Sequence, residues 1–474
     1  MQNKICERLT VPARASVGFT CIGAVAKLLS VLTTPLFTRL LTAEEYGLYS
    51  LYTTWLGIFS VLLTLGIGSS VLYRGMQRFS DERDGFLLSA LFLSLGALFL
   101  GVLFYLCFSR QISRFLGLSL DVTLFLFMQI AADLSLSFYL AECRFRYKPL
   151  AYALPRLACD LLIPLSAYLL LMKTPHPETA RIRALLCGTL LTALPLTLRL
   201  FRRGWGACKA EHFTFLLSFA LPLFPHAAAG ILLTEGGRAV VGRTLGKAAL
   251  ARFGIAVSLG GALSLLTVGI NSALHPWVMR KIASGEKERL SPLADLLSLL
   301  LTLSTALLLL ISPELLSLLA PASYGSAIYT ALPIAVGTLP HFLSGMLTAA
   351  LLARERAHDV TRTTLVAAVL SLLADALLVP RLGGIASGYV TLGISLFLLF
   401  SRLHATRRTV GVLLHTGHTL ALLALDLLLL PFSLFLLPYP TVRLFLLLPL
   451  TLCLFPALTK AYRLLKEDAP RPNE

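Results

Sequence analysis

Long, uninterrupted apolar segments recur along this chain of 474 residues, and they restrict its fold more than any other feature. A helix that crosses a bilayer needs about 20 mainly apolar residues. About fourteen segments meet that need, near 15–38, 46–72, 86–108, 122–141, 150–172, 182–201, 213–234, 248–278, 290–312, 326–353, 363–379, 384–401, 411–437 and 441–459. They are continuously apolar, whereas the strands of a membrane barrel alternate over about ten residues. We therefore predict an all-α membrane protein.

The composition excludes several other classes of protein. Hydrophobic residues make up 57% of the chain and charged residues only 14%, against about 25% charged residues in soluble domains. A net charge of +17 would indicate nucleic-acid binding if it formed a patch, but the basic residues stand in small groups between apolar runs. The eight cysteines show no metal-ligand spacing. We expect neither a cofactor nor a metal site.

The basic residues also predict an orientation in the membrane. Loops rich in Lys and Arg stay on the cytoplasmic side, and about two thirds of these residues lie in the termini and the even-numbered loops. Both termini are therefore expected in the cytoplasm, which requires an even number of spans. The loop that carries Arg238, Arg243 and Lys247 departs from this bias.

A weak internal repeat predicts how the spans are organised. The segment 64–69 (TLGIGS) recurs as 267–272 (TVGINS), where six spans per half would place it. Six is an even number, so both halves enter the membrane in the same orientation. This predicts two six-helix bundles related by pseudo-two-fold symmetry, with a cavity between them. We expect bundles at 1–205 and 206–405, followed by two additional transmembrane helices and a cytoplasmic tail at 406–474.

Four segments resemble a known family. Residues 39–50 (RLLTAEEYGLYS) resemble the first-loop signature of bacterial polysaccharide transport proteins, the Wzx-type O-antigen and capsule repeat-unit flippases of the multidrug/oligosaccharidyl-lipid/polysaccharide exporter superfamily. Residues 219–226 (FALPLFPH) are similar to the proline-rich seventh span, 377–388 (LLVPRLGGIASG) to a proline–glycine hinge, and 324–327 (YGSA) to the segment after span nine. The chain departs from the family at Gly237-Arg238, where members often carry Asp-Arg.

The resemblance implies a flippase in the bacterial cytoplasmic (inner) membrane, and no enzyme. Its substrate would be a polyprenyl-pyrophosphate-linked oligosaccharide, an O-antigen, capsule or exopolysaccharide repeat unit, moved by alternating access. H+ or Na+ coupling and other glycan-assembly proteins are further partners that the family allows. A lipid II flippase and a drug or cation antiporter of the same superfamily are the alternatives. A glycan polymerase or ligase is disfavoured, because no loop is long enough for a catalytic domain.

Charged residues inside spans indicate function by default. Lys27 stands near the middle of the first span, and we predict that it binds phosphate from a cavity wall. Arg156 is four residues before Asp160, so it either pairs with that acid or faces the cavity. Arg39 and Arg74 flank the second span, where they either recruit anionic headgroups or act as ordinary loop charges.

Acids inside the spans are the candidates for ion coupling. Three carboxylates would bind a proton or Na+ if they were buried, those of Asp133, Asp160 and Asp375. Gln129 lies four residues before Asp133 and forms a polar strip with it. Asp426 is a weaker candidate, because it lies outside the repeat.

Aromatic and proline residues complete the predicted site. Tyr52 and Trp55 belong to a series with three-residue spacing, which predicts either an interfacial belt or a surface that stacks on sugars. Thr42 and Glu45 predict a capping box. Pro222 and Pro225 should kink the seventh span, as a gating helix requires.

Overall fold

The regular structure is helical throughout the residues that the computed structural model describes, 11–173, 176–286 and 290–467. The first nine helices are α1 (Val11–Leu40), α2 (Ala43–Leu62), α3 (Ser69–Arg78), α4 (Arg83–Cys107), α5 (Ser109–Leu116), α6 (Leu120–Phe145), α7 (Pro149–Lys173), α8 (Pro177–Gly204) and α9 (Ala210–Leu245). The next nine are α10 (Lys247–Gly260), α11 (Ser264–Ala283), α12 (Leu290–Leu319), α13 (Ala327–Val336), α14 (Thr338–Ala353), α15 (Ala357–Leu382), α16 (Ile385–Thr409), α17 (Thr416–Leu436) and α18 (Pro440–Glu467). Short 3-10 turns lie at Gly261–Leu263 and Ala322–Tyr324. The predicted all-α class is confirmed.

The helices account for every predicted span. Among the described residues, 11 helical segments are long and apolar enough to cross a bilayer, if α13 and α14 are counted as one. Two further helical segments, Lys247–Leu263 and Leu266–Ala283, are bent by 45° relative to each other. Counted together as one span, they raise the number to 12. The helices α2 and α18 coincide with the two remaining predicted segments. The predicted number of about 14 is therefore compatible with the structure. The end of the predicted cytoplasmic tail, residues 468–474, lies outside the described residues.

One predicted boundary is wrong. The second span was expected to continue to residue 72, but α2 ends at Leu62 and the chain turns before α3. Leu65 and Gly66 have positive φ angles of 58° and 59°, a left-handed conformation that ends a helix. The apolar run continues through the turn, so hydropathy alone does not mark the break.

The chain forms two compact units, Met1–Ala251 and Arg252–Glu474. In unit 1, α8 packs against α2, α4, α6 and α7, while α1 lies along α7 and α9 along α2. In unit 2, α14 and α16 pack together with α11, α13 and α15 around them, and α12 carries α17 and α18. The predicted division after residue 205 would assign α9 to the second bundle, whereas its contacts place it in unit 1. The division by repeat remains a prediction.

A close approach explains one glycine of the first-loop signature. A Cβ atom at Gly47 would lie 2.0 Å from the Lys247 carbonyl oxygen, far inside van der Waals contact. Only glycine lets α2 approach the backbone that follows α9 so closely. The same helix begins at the predicted capping box: Thr42 accepts from the Glu45 backbone amide, and the Glu45 carboxylate accepts from the Thr42 amide at 2.7 Å. The capping box is confirmed.

Candidate functional site

Unit 1 carries a polar strip across α6, α7 and α8. The Gln129 amide donates to Asp133 Oδ1 at 3.1 Å and to the Thr189 hydroxyl at 2.9 Å, so this strip joins two helices. Arg156 Nε donates to Asp160 Oδ2 at 2.8 Å along α7. Arg156 also lies within electrostatic range of Asp133. The structure thus brings together three of the residues that the sequence selects.

The Arg156–Asp160 pair is only partly enclosed. The Arg156 side chain is 42% exposed and the Asp160 side chain 18% exposed. The pair takes the local i,i+4 form, one of the two arrangements expected from the spacing. Its exposure nevertheless leaves the guanidinium accessible from one side, so pairing and ligand binding are not exclusive.

Lys27 lies on a polar face of α1. Residues at spacings of three and four follow one another on this face: Thr20, Gly23, Lys27, Ser30 and Thr34. Lys27 is exposed, and the space in front of Gly23 is open, since a Cβ there would meet no atom within 4 Å. Among the described residues, no acid pairs with Lys27.

The remaining exposed surface of α1 is apolar. Large hydrophobic side chains recur at the same helical spacing about half a turn away from Lys27, namely Val25, Leu28, Leu32 and Leu36, which are 46%, 56%, 63% and 40% exposed. An exposed apolar stripe suits lipid chains, whereas a stripe of small and polar residues around an ammonium group does not. Lys27 and the apolar stripe thus lie on different faces of α1, and the predicted contact of Lys27 with a phosphate remains a prediction.

Lys27 and the Arg156–Asp160 pair lie at a similar depth. The Phe19 and Tyr152 rings meet edge to face at 5.2 Å and tie α1 to α7. Both helices are odd-numbered spans and run in the same direction. At a rise of 1.5 Å per residue, Lys27 and Asp160 each lie about 12 Å along the helix from this contact. Arg156 lies about 6 Å from the contact, so its backbone is about one helical turn from the level of Lys27, and its side chain extends to Asp160 at that level.

The predicted aromatic pair is inside the bundle. Tyr52 is fully buried and its hydroxyl donates to the Phe125 carbonyl at 3.2 Å. Trp55 is 7% exposed, and its indole N–H donates to the Leu116 carbonyl at 3.0 Å. In this conformation neither ring offers a face to a sugar or to the membrane interface. Hydrophobic periodicity does not distinguish a buried helix face from an interfacial one.

The other predicted residues are separate from this strip. Arg39 and Arg74 are both exposed, and Arg39 Nη1 donates to the Pro35 carbonyl at 3.3 Å. In unit 2, Asp375 is 1% exposed, its Oδ1 has no hydrogen-bond partner in the described part of the chain, and Ser387 on the next helix lies beside it. A binding role for the arginines and a coupling role for Asp375 remain predictions.

Pro222 and Pro225 lie in the middle of α9, which continues as a helix through both. Each proline lacks an N–H group, so the carbonyls of residues 218 and 221 lose their usual helical partners. Both prolines are exposed on the surface of unit 1. The gating role that we predicted for them is not tested by this arrangement.

Sequence reasoning overlooked a second group of charges. Arg402 falls just outside the predicted span 384–401, and Arg443 lies at the start of the predicted span 441–459, yet the two residues are only 8% and 5% exposed. Arg181, also assigned to a loop end, is stacked 3.8 Å from the Tyr49 ring centroid. The helix α16 continues to Thr409, eight residues beyond the end of the predicted span, so Arg402 lies inside the helix.

One ionic contact joins the connections that precede α4 and α9. Glu82 forms a salt bridge with Lys209, and its second carboxylate oxygen is 3.5 Å from His212 Nε2. Glu82 lies outside the membrane-spanning segments, and the Lys209 ammonium holds the pKa of that carboxyl below its usual value. Within the described residues, no three His, Cys, Asp or Glu side chains form a metal-ligand group.

Comparisons with known proteins agree with this architecture. A family model described as polysaccharide biosynthesis protein matches residues 14–281. The lipid II flippase MurJ in an inward closed conformation has a TM-score of 0.71 at 14% identity, over 94% of this chain and 98% of that chain. An inward-facing multidrug resistance MATE family transporter of the MOP superfamily has a TM-score of 0.58 at 16% identity, over 84% and 95%. Among curated protein sequences, none matches.

A third solved structure belongs to a MOP superfamily transporter from Pyrococcus furiosus, whose binding pocket is reported to have reverse polarity. It has a TM-score of 0.57 at 15% identity, over 88% of this chain and 97% of that chain. At these identities the likeness shows the fold alone. The matched chains are covered almost completely, so the chain has the whole fold of these transporters.

Proposed function

The chain belongs to the polysaccharide biosynthesis protein family, and from this membership we propose that it flips a polyprenyl-pyrophosphate-linked oligosaccharide across the bacterial cytoplasmic membrane. It is a multi-pass membrane protein with the fold of MOP superfamily flippases and transporters. The finer proposal is that the substrate is a repeat unit of a surface polysaccharide. No covalent bond is made or broken.

The single observation that carries this proposal is the exposed Lys27 on the polar face of α1, at the depth of the Arg156–Asp160 pair. A pyrophosphate cannot cross about 30 Å of hydrocarbon without cationic partners. Lys27 provides an ammonium without an acid partner among the described residues, and Arg156 provides a half-exposed guanidinium. Both groups favour an anion over the cationic substrates of a drug exporter.

Arg156 would change partners during the cycle. In this structure its Nε donates to Asp160 at 2.8 Å. An arriving pyrophosphate offers a stronger, bidentate partner for a guanidinium than one carboxylate oxygen. Asp160 would then be free to take up a proton or Na+, which couples binding of the substrate to binding of an ion. Asp133 and Asp375 are further candidates for that ion.

Transport would follow from rocking one of the two predicted six-helix bundles against the other, with the termini in the cytoplasm. The lipid tail can remain in the bilayer while the charged headgroup crosses in the cavity. Two backbone hydrogen bonds are missing from the middle of α9, because Pro222 and Pro225 have no N–H group. The helix can therefore bend there at low cost. Arg39 and Arg74 would attract anionic headgroups at either end of α2.

Lipid II transport is the alternative with structural support, because a lipid II flippase shares the fold over 94% of this chain. Lipid II also carries a prenyl chain and a pyrophosphate, so the cationic site fits both substrates. The family match to polysaccharide biosynthesis proteins favours the polysaccharide repeat unit.

Deletion of the gene tests the proposal. We expect lipid-linked polysaccharide repeat units to accumulate in the cytoplasmic leaflet, measured by the accessibility of the glycan to an external glycan-modifying enzyme. Complementation with the wild-type chain should restore export. Normal surface polysaccharide together with blocked lipid II export would contradict it, and so would a loss of drug resistance alone.

A further inference from the structure

Arg402 on α16 is a buried cation with neutral partners. Arg402 is only 8% exposed. Nη1 donates to the Ser344 hydroxyl at 3.0 Å and more weakly to the Ser344 carbonyl at 3.4 Å, and Nη2 donates to the Thr364 hydroxyl at 3.1 Å. Ser344 lies on α14 and Thr364 on α15, so the guanidinium joins three helices of unit 2. A guanidinium remains protonated in proteins, and these partners do not neutralise it.

Another buried arginine of the same unit shows what Arg402 lacks. Arg443 is 5% exposed and donates to the Leu310 carbonyl at 2.9 Å, but it also pairs with Glu314 at 2.8 Å. In the described part of the chain, no carboxylate lies at ion-pairing distance from Arg402. A buried charge without a counter-charge is costly. The contrast between the two arginines indicates that the counter-charge of Arg402 comes from outside the chain.

One donor of Arg402 is available for such a partner. Arg402 Nε is buried and has no hydrogen-bond partner among the described residues. His341 lies within electrostatic range of Arg402, and it precedes Ser344 by one helical turn on the same face of α14. His341 is itself exposed. An imidazole is a possible N–H donor to an anion that approaches Arg402.

The polar groups beyond His341 bring no acid. Asn271 and His275, four residues apart on α11, face Gly345: Asn271 Nδ2 and His275 Nε2 would lie 3.4 and 3.7 Å from a Cβ atom there. Asn271 Oδ1 and His275 Nε2 have no partner among the described residues. An amide and an imidazole both provide N–H donors. The described polar side chains beside Gly345 thus include no carboxylate.

We propose that unit 2 binds a small inorganic anion at the free Nε–H of Arg402, beside His341. A halide or a single oxyanion carries the negative charge that Arg402 lacks among its neighbours. The anion neutralises Arg402 and thereby stabilises the contact of these three helices. This site lies in a different unit from Lys27, and it does not depend on which lipid-linked glycan the protein transports.

Thermal unfolding of the purified, delipidated full chain in detergent tests the site. The probes are sodium chloride, sodium phosphate and, as a reference, sodium gluconate at the same ionic strength. We expect chloride or phosphate at tenfold excess over its Kd to raise the Tm by about 1–2 °C relative to gluconate. Arg402→Gln should abolish this increase, and His341→Ala should reduce it.

Two further variants keep the result interpretable. Arg402→Lys retains the charge but removes the Nε–H, so it should fold and lose the anion response even if Arg402→Gln is too unstable to purify. Arg443→Gln should lower the Tm in every salt and keep the anion response in full. An anion response that is absent from the wild-type chain, or unchanged in Arg402→Lys, would overturn the proposal. So would stabilisation by vesicle-derived phosphatidylglycerol without any effect of chloride or phosphate.

Discussion

At the scale of single residues, the environment of each basic side chain separates structural charges from candidate functional ones. Arg443 pairs with Glu314, and Arg238 pairs with Glu235 at 3.2 Å. Lys27 and Arg402 have no acid partner among the described residues, and they lie in different units. A membrane protein retains an unpaired cation inside a span mainly where a ligand or water meets it. This distinction depends on partners from other helices, which the sequence does not reveal.

Lys27→Gln should reduce transport of the lipid-linked glycan about ten- to a hundredfold, because it removes one charge-assisted contact to phosphate. Lys27→Arg keeps the charge and should retain most of the activity. Both variants should reach the membrane in normal amounts, since Lys27 is exposed. Complementation of the deletion strain measures the effect, with immunoblotting of membranes as the control. Wild-type activity of Lys27→Gln would remove this residue from the site.

The salt bridge between Glu82 and Lys209 predicts that the stability of this region, which lies outside the membrane-spanning segments, depends on pH. Because Lys209 lowers the pKa of this carboxyl in the folded protein, its stabilising contribution is present above the pKa of the unfolded chain and disappears as pH falls through the folded value. The protection factors of residues 79–89, corrected for the intrinsic exchange rate at each pH, should therefore fall between about pH 5 and pH 3. In the Glu82→Gln variant, protection of this segment should already be lower at neutral pH. It should no longer change between about pH 5 and pH 3, because glutamine does not titrate. Identical pH profiles for both proteins would disprove the role of this contact.

At the scale of elements, close contacts and helix breaks carry the specific features of the fold. The first-loop signature is one example: Gly47 lets α2 approach Lys247, and Thr42 with Glu45 starts the helix. The capping box could be predicted from sequence, because it depends on residues three apart. The need for glycine at position 47 could not be predicted in this way, because the residue that it contacts, Lys247, is 200 residues away in the chain.

Gly47→Ala should destabilise unit 1 by about 1–3 kcal/mol, the usual cost of forcing extra volume into a packed contact. The methyl group would overlap the Lys247 carbonyl, which is backbone and cannot rotate away. Gly96→Ala is the matched control: this glycine lies within α4 with no atom within 4 Å of a Cβ, and alanine should be neutral or slightly stabilising. Thermal unfolding in detergent compares the two. Equal Tm values would show that the contact tolerates a side chain.

Pro222→Ala combined with Pro225→Ala should stiffen α9, since it restores two backbone hydrogen bonds. We expect a higher Tm together with slower transport, because a helix that bends less opposes the change between inward and outward states. Pro195→Ala in α8 also removes a proline from a helix interior and serves as the control. It should leave transport unchanged. Faster transport in the double variant would contradict a gating role.

At the scale of the whole molecule, the sequence predicts the class of fold and many of the spans, because hydropathy follows directly from the bilayer as solvent. It fails where the apolar run continues through a turn, as at Leu65 and Gly66. The contact of α9 with α2 likewise depends on packing that the sequence does not show, and the division of the chain by repeat stays a prediction. Within the site, spacing predicted that Arg156 and Asp160 share a helix face, but it left open whether Arg156 pairs with the acid or faces the cavity. The burial of Tyr52 depends on other helices and could not be predicted from spacing.

The central claim is that an anionic headgroup crosses the membrane through contact with Lys27. The most direct measurement is translocation of undecaprenyl-pyrophosphate-linked oligosaccharide by the purified protein in proteoliposomes, followed by enzymatic modification of the glycan from outside. We predict that wild-type protein transfers the glycolipid between leaflets and that Lys27→Gln does so at least about tenfold more slowly. Equal rates for both proteins, or no transfer above protein-free vesicles, would contradict the account.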